Sequence, residues 1–270
     1  MLKLDKTRRN IQLFFLAISI ALFALLISGV LQIAHAYCPQ AAVCFGCLNL
    51  GQSLGNWMFP AAIISGLAIL LLTIFIGRKF CGYACPFGTI QELIFTINRK
   101  SGKRTCKSVM PAKIHNILKW LKYVILLATG VLAWLGLSYI YMKFCPVISI
   151  AHIQNIRLAG VISLGVITVV GFFIERFWCN YLCPYAALLN IVQWIGKILH
   201  LPRNKVWWNK ISCIDCLLCD DFCPMRITVS KSEKVNDVEC IYCHRCELCC
   251  PVLTKQKRNI QGKKNENQNS

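Results

Sequence analysis

Charge is missing from a long part of this sequence. Residues 10–77 contain no Asp, Glu, Lys or Arg, and the whole chain has only 11 acidic residues against 30 basic ones. Together with 56% hydrophobic residues and a mean hydropathy of +0.54, this pattern excludes a soluble domain of ordinary composition. The uncharged stretch is long enough to cross a bilayer twice, since one crossing needs ~20 residues.

Four apolar segments predict a mainly α membrane protein with four transmembrane helices, at about 11–34, 57–77, 123–142 and 158–174. Lys and Arg are concentrated before the first segment, between the second and third, and after the fourth. The positive-inside rule then places both termini in the cytoplasm of a multi-pass protein of the bacterial or archaeal inner membrane. Because the basic residues flank apolar segments, the net charge of +19 indicates anionic lipid as a partner and not nucleic acid.

The two halves of this membrane domain, residues 1–202, repeat each other. The motif "CGYACP" at 81–86 follows the second apolar segment, and "CNYLCP" at 179–184 follows the fourth. We therefore expect a duplicated two-helix unit. Helical spacing after each motif predicts two further helices, at about 87–98 and 185–200, that lie along the membrane surface.

The C-terminal cysteines form two runs of C-x2-C-x2-C-x3-C-P, at 213–224 and 240–251. This is the spacing of bacterial ferredoxins, in which the fourth cysteine of each run ligates the cluster of the other run. It predicts a cytoplasmic 2[4Fe–4S] ferredoxin module of the α+β class at 203–254, followed by a disordered tail at 255–270. A zinc site normally pairs two CxxC groups across a longer gap. The predicted cluster ligands are Cys213, Cys216, Cys219 and Cys250 for one cluster and Cys240, Cys243, Cys246 and Cys223 for the other, leaving Cys249 as a free thiol.

The remaining cysteines suggest two more groups. The inner group could bind a third cluster, because a cysteine before a proline-initiated helix is favoured as thiolate by the positive helix end. The alternatives are a redox-active dithiol or purely structural thiols. The outer group could bind a cluster or form disulfides. The inner group is Cys81, Cys85, Cys179 and Cys183, and the outer group is Cys38, Cys44, Cys47 and Cys145.

Three other features lie near the segment ends. His35 and His152 lie near the outer boundary and are candidates for binding a quinone headgroup or a haem, although a boundary histidine is commonly just an interfacial polar residue. Glu175 and Arg176 are interpreted as an interfacial ion pair at the inner end of the fourth segment.

The paired motifs at 81–86 and 179–184, with two ferredoxin runs after them, resemble the NapH-type membrane iron–sulfur proteins and the related MauN, NosR and CcoG types. The resemblance covers about residues 10–251. It implies a quinol dehydrogenase subunit that works with other redox subunits. NosR-type proteins add a large flavin domain and CcoG-type proteins a further C-terminal domain, so the length of this sequence favours the NapH type.

The expected function is therefore electron transport. The protein would pass single electrons between the quinone/quinol pool and iron–sulfur, cytochrome or reductase partners, through two [4Fe–4S] clusters and one or two further clusters if the other cysteines bind them. No group of acid–base residues predicts a catalytic site, so its status as an enzyme stays open. The alternatives are an assembly or maturation factor that reduces metal or thiol targets, and a redox sensor.

Overall fold

The computed structural model describes residues 3–27, 59–100, 111–135, 137, 144, 158–200, 206–207, 213–230, 234–235 and 237–252. Within these ranges the protein is mainly helical. The predicted tail at 255–270 lies outside the described residues, and so do Cys38, Cys44, Cys47, Cys145, His35 and His152.

The described elements follow one another as helices, with two short strands near the C-terminus. The helices are α1 (Lys3–Ile27), α2 (Phe59–Ile76), α3 (Lys79–Tyr83), α4 (Pro86–Lys100), α5 (Ala112–Leu118), α6 (Leu121–Trp134), α7 (Leu158–Phe173), a π-helical turn (Trp178–Leu182), α8 (Pro184–Ile198), α9 (Leu218–Asp221) and α10 (Arg245–Cys249). The strands β1 (Val206–Trp207) and β2 (Lys234–Val235) pair antiparallel, with Val206 opposite Val235.

The prediction of four transmembrane helices is wrong. No helix in the described ranges is both long enough and apolar enough to cross a membrane. Helices α2, α6 and α7 contain 18, 14 and 16 residues, against the ~20 of a typical crossing. Helix α1 has 25 residues, but its first turns are charged, and its Arg8 is buried in an ion pair with Glu92 of α4. The predicted inner-membrane localisation with cytoplasmic termini is contradicted by the same finding.

Both halves of the helical region contain the same order of elements. In the first half, α2 leads through α3 to α4, and in the second half α7 leads through the π-helical turn to α8. Helices α4 and α8 begin at Pro86 and Pro184, which confirms that each motif's proline opens a helix, where no backbone N–H donor is needed. The halves pack crosswise, because α4 packs on α7 and α8 packs on α2.

Charged side chains lie at the centre of this crosswise packing. Arg78, Lys122 and Arg176 are fully buried, whereas apolar side chains such as Leu127 and Val169 are exposed on the outside of their helices. Buried charges are tolerated only when they are paired. The interior is therefore organised by ion pairs, which fix how the helices meet.

The ferredoxin module packs directly on the helical region. Ile241 and Met225 share one buried apolar cluster with Cys81, Tyr185 and Leu189 of the two halves. At Gly82 the two backbones are so close that a Cβ there would lie 2.5 Å from the carbonyl oxygen of Ile241. This close approach brings the cysteine motifs of the repeat next to the ferredoxin cysteines.

Candidate iron–sulfur site

Four ferredoxin cysteines line one pocket of the ferredoxin module. They are Cys223, Cys240, Cys243 and Cys246, the set that the sequence assigns to one cluster. Pro224, Met225, Ile227, Val229 and Val235 form much of the surrounding wall. The pocket thus combines the last cysteine of the first run with the first three of the second.

Burial raises the pKa of the Cys240 thiol to about 12, with the neighbouring Cys243 adding to the shift. Burial and the Cys243 thiol also raise the pKa of Cys223 and of Cys246. Four thiols in one apolar pocket cannot all ionise unless cations compensate them. The iron of a bound cluster would supply that compensation, because a metal-coordinated thiol is deprotonated.

The other ferredoxin cysteines lie around α9 and α10, which pack together. Cys219 and Cys250 are buried in the same apolar core. Burial raises the pKa of Cys219 to about 11, and the nearby Asp220 and Cys216 contribute. The Cys213 thiol contacts Asp215 Oδ1 at 3.6 Å.

Cys249 lies beside this second group. Burial raises the pKa of its thiol to about 12, and Cys219, Cys250 and Cys216 are its neighbouring thiols. Its Sγ lies 3.5 Å from the carbonyl oxygen of Leu218. The ligand assignments of both ferredoxin clusters, and the exclusion of Cys249, stay predictions.

Among the described residues, no group of three or more His, Cys, Asp or Glu side chains is close enough to hold a single metal ion.

Four more cysteines meet where the two halves of the repeat join. We call Cys81, Cys85, Cys179 and Cys183 the four-cysteine site. Cys81 is 7% exposed and Cys179 is 5% exposed. Burial raises the pKa of Cys85 to about 12, and the next contributions come from Cys179 and Cys81, on different halves. Burial likewise raises the pKa of Cys183 to about 12, with Cys81 and Cys85 adding to it.

Two helices point their N-terminal ends at this site. Cys183 precedes Pro184 as the N-cap of α8, and its Sγ accepts a hydrogen bond from the backbone N–H of Ala186 at 3.4 Å. Cys85 precedes Pro86 of α4 in the same way, and the backbone N–H of Gly88 acts to lower its pKa. The positive ends of both helices therefore favour negative charge on the sulfur atoms.

Arg78 and Arg176 flank the four-cysteine site, and each pairs with the opposite half of the repeat. Arg78 Nη1 donates to Asn190 Oδ1 of α8 at 2.6 Å. Arg176 Nη2 donates to Glu92 Oε2 of α4 at 2.8 Å, and its Nη1 donates to the carbonyl oxygen of Cys81 at 2.5 Å. The two arginines thus tie the halves together around the thiols.

Glu92 is surrounded by cations from three parts of the chain. It pairs with Arg8 of α1, with Arg176, and with Arg245 of the ferredoxin module, whose Nη2 lies 2.5 Å from Glu92 Oε1. Burial alone would raise the pKa of the Glu92 carboxyl, but Arg245, Arg176 and Arg8 hold it well below its usual value. Arg245 also pairs with Glu175 at 2.5 Å.

Glu239 of the ferredoxin module forms a second buried ion-pair network. Its carboxylate accepts from Lys122 at 2.5 Å, from Arg78 at 3.2 Å and from Asn190 at 2.9 Å. Burial lowers the pKa of Lys122 to about 8, although Glu239 acts to raise it. The module is therefore held to the helical region by two ion-pair networks, one through Glu239 and one through Arg245.

The sequence interpretation missed these arginine networks. Arg176 and Glu175 are not an interfacial pair bonded to each other, because Arg176 bonds to Glu92 and Glu175 bonds to Arg245. One signal was available in the sequence. A shift of 98 residues that superposes Cys81 on Cys179 also superposes Arg78 on Arg176 and Glu92 on Asn190.

Comparison with known families supports the repeat and its cofactor class. The family described as "4Fe-4S binding domain" matches the chain twice, at residues 58–104 and 156–202. Each match contains one Cys-x-x-x-Cys-Pro motif and one of the two flanking arginines. No solved structure matches the chain.

Related proteins occur in bacteria and archaea. The chain is 32% identical to the putative electron transport protein YccM of Escherichia coli, over 77% of this chain and 60% of YccM. It is 30% identical to the uncharacterized protein MJ0750 of Methanocaldococcus jannaschii, over 63% of this chain and 68% of that protein. It is 28% identical to the regulatory protein NosR of Stutzerimonas stutzeri, over 77% of this chain but only 28% of NosR.

The chain thus spans less than two thirds of YccM and a smaller part of NosR. These relatives support an iron–sulfur electron transport family in general, and the narrower NapH-type assignment stays a prediction. The chain belongs to the family of 4Fe–4S binding proteins that these relatives represent.

Proposed function

We propose that this protein transfers single electrons through two [4Fe–4S] clusters held by its ferredoxin runs. The observation that carries this proposal is the pocket lined by Cys223, Cys240, Cys243 and Cys246. In bacterial ferredoxins the fourth cysteine of one run ligates the same cluster as the first three cysteines of the other run, and this pocket contains that combination. The matched 4Fe–4S family and the name of the E. coli relative support the same function. A bound cluster would take up or release one electron at a time.

The protein's own residues would set how easily that electron is accepted. The backbone N–H of Tyr242 lies 3.4 Å from the Cys240 sulfur and donates to it. Such bonds stabilise the more negative, reduced form and raise the reduction potential. Arg245, whose guanidinium lies close to Cys243, adds positive charge on the same side. Both groups favour electron entry into this cluster.

The donor and the acceptor of the electrons are also part of the proposal. A quinone would exchange electrons at one end, and an iron–sulfur, cytochrome or reductase protein at the other, acting together as a NapH-type quinol dehydrogenase system. The support is the resemblance carried by the motifs at 81–86 and 179–184. The candidate quinone residues His35 and His152 are tested by substituting alanine at both and measuring the rate at which a quinol reduces the clusters.

The main experiment uses the full chain purified without oxygen. We expect at least about eight iron atoms per chain, in two [4Fe–4S] clusters that a quinol reduces, as followed by absorbance and electron paramagnetic resonance. Cys240→Ser should remove the signal of one ferredoxin cluster, whereas Cys249→Ser should retain both. Wild-type protein without these signals, or a Cys240→Ser protein that keeps them, would refute the proposal.

A redox regulator is the second candidate, and the name of the NosR relative, a regulatory protein, favours it. A regulator changes its binding to a partner when its clusters change oxidation state. An electron carrier instead turns over many electrons between a donor and an acceptor. Repeated quinol-driven reduction of an added electron acceptor supports transfer, and a single reduction coupled to release of a bound partner supports regulation.

A further inference from the structure

The buried arginines beside the four-cysteine site have unused hydrogen-bond donors. Arg78 and Arg176 are both 0% exposed. Nε and Nη2 of Arg78 and Nε of Arg176 have no hydrogen-bond acceptor among the described residues. An unpaired guanidinium N–H in a protein interior is strongly unfavourable. Two such side chains at equivalent positions of a repeat indicate that an acceptor belongs between them.

Besides their carboxylate partners Glu239 and Glu92, both arginines have thiols of the four-cysteine site as electrostatic neighbours. Arg78 interacts electrostatically with Cys81, Cys179 and Cys183, and Arg176 interacts with Cys179 and Cys85. The carboxylates already accept from other nitrogens of these arginines, which leaves the neighbouring sulfur atoms as candidate acceptors for the free N–H groups. Sulfur accepts such bonds well only when it carries negative charge, as a metal-bound thiolate or a bridging sulfide does.

The charges balance for an iron–sulfur cluster. Four thiolates around an oxidised [4Fe–4S] core have a net charge of about −2, and reduction adds one more negative charge. Arg78 and Lys122 share one carboxylate, and Arg8, Arg176 and Arg245 share two, so each network keeps one positive charge that is not compensated by a carboxylate. The N-terminal ends of α4 and α8 add positive charge at Cys85 and Cys183. Four neutral thiols or two disulfides would leave the free N–H groups of both arginines without a negatively charged acceptor.

We propose that the four-cysteine site binds a third cluster of the [4Fe–4S] class, and that Arg78 and Arg176 are its positioning residues. Each arginine donates its free N–H groups to the sulfur atoms while its other nitrogens hold the opposite half of the repeat. This inference rests on the proposed electron-transfer function and adds a site to it. The match of the 4Fe–4S binding family to both halves, outside the ferredoxin runs, agrees with it.

The location of the site gives the third cluster a direct neighbour. Cys81 and Cys243 belong to one buried apolar cluster, and Cys183 and Cys223 pack against it. Transfer between these two sites moves one electron, with no bond made or broken and no proton required. The four-cysteine site would therefore exchange electrons with the ferredoxin cluster held by Cys223, Cys240, Cys243 and Cys246.

The first test counts clusters in the full chain purified without oxygen. We expect about twelve iron atoms and as much acid-labile sulfide per chain, and Mössbauer spectra that require three clusters. The double variant Cys81→Ser/Cys179→Ser should lose about four iron atoms while keeping both ferredoxin signals. About eight iron atoms in the wild type would overturn the inference, and Mössbauer counting decides it even where the variant does not fold.

The second test addresses the arginines by redox titration. In Arg78→Gln or Arg176→Gln, the midpoint potential of the third cluster should fall, because removing a nearby positive charge disfavours reduction. Arg78→Lys should restore part of the shift, and the ferredoxin potentials should change less. An unchanged potential in both glutamine variants would refute the role of the arginines. Cys240→Ser separates the two proposals, since it removes a ferredoxin cluster and should leave the third cluster's signal in place.

Discussion

Substitution of Glu92 by glutamine tests whether buried ion pairs organise this protein. Glu92 lies at the meeting point of α1, α4, the start of the second motif and the ferredoxin module, and its side chain is 10% exposed. Glutamine has nearly the same shape and keeps one acceptor oxygen. The variant therefore removes one negative charge and little packing.

The expected loss follows from the partners that remain. Arg245 retains Glu175, but Arg8 and Arg176 lose their carboxylate partner and stay buried beside each other. Removing one partner of a buried pair costs about 3–5 kcal/mol, because the other charge is left uncompensated. Two uncompensated cations place Glu92→Gln in the upper part of that range. For a chain of this size the loss corresponds to a decrease in Tm of roughly 10 °C or more.

The measurement is the Tm of the anaerobic, cluster-loaded protein by circular dichroism, with iron content checked in each sample. Asp237→Asn is the matched control, since Asp237 is exposed and the same change there should alter stability by about 0.5 kcal/mol or less. The double variant Glu92→Gln/Arg8→Gln should lose less than the sum of the single losses, because it removes an unpaired charge. A Tm within about 2 °C of wild type for Glu92→Gln would refute the reasoning.

Three further predictions concern contacts of the helical region. Gly82→Ala should loosen the ferredoxin module, because the added Cβ would clash with the carbonyl oxygen of Ile241. The expected result is faster limited proteolysis of the variant. Gly165→Ala is the control and should not change the rate, because a Cβ there has nothing within 4 Å. Asn180→Ala should destabilise the protein by about 1–3 kcal/mol, because the Asn180 amide donates at 3.1 Å to the buried carbonyl oxygen of Pro224 in the module. An unchanged Tm in thermal unfolding would contradict this prediction. Burial lowers the pKa of His115 to about 4 from 6.5, so the folded state binds fewer protons than the unfolded state between these values. The Tm should therefore fall as pH drops from 6.5 towards 4, and His115→Gln should flatten this slope; an equal slope in both proteins would exclude His115 as its source.

The iron–sulfur cofactor class could be predicted from the sequence because ligand spacing is local. The runs at 213–224 and 240–251 specify a cofactor class by their intervals alone. The motifs at 81–86 and 179–184 were also recognisable, since Pro86 and Pro184 begin helices as expected. These signals depend on residues within a few positions of one another.

The membrane prediction was wrong because amino-acid composition does not determine which side chains are buried or which residues they contact. Residues 10–77 lack charged residues, but the chain just before them carries Arg8, which enters the interior and pairs with Glu92. The ion pairs Arg8–Glu92 and Arg176–Glu92 each join residues 84 positions apart and leave no local pattern. The only sequence signal of the polar interior is that the 98-residue repeat aligns Arg78 with Arg176 and Glu92 with Asn190, in addition to the cysteines.

One difference between the two halves of the repeat explains how the ferredoxin module is held in place. In the first half, Glu92 supplies the carboxylate that Arg176 binds. In the second half the equivalent residue is Asn190, which is neutral, so Arg78 lacks a carboxylate partner within the repeat. Glu239 of the ferredoxin module supplies it. Because Asn190 stands where the first half has Glu92, the burial of Arg78 depends on docking of the module. Docking also brings the ferredoxin cysteines against the four-cysteine site. The asymmetry between the halves therefore couples burial of Arg78 to the contact between the two groups of cysteines.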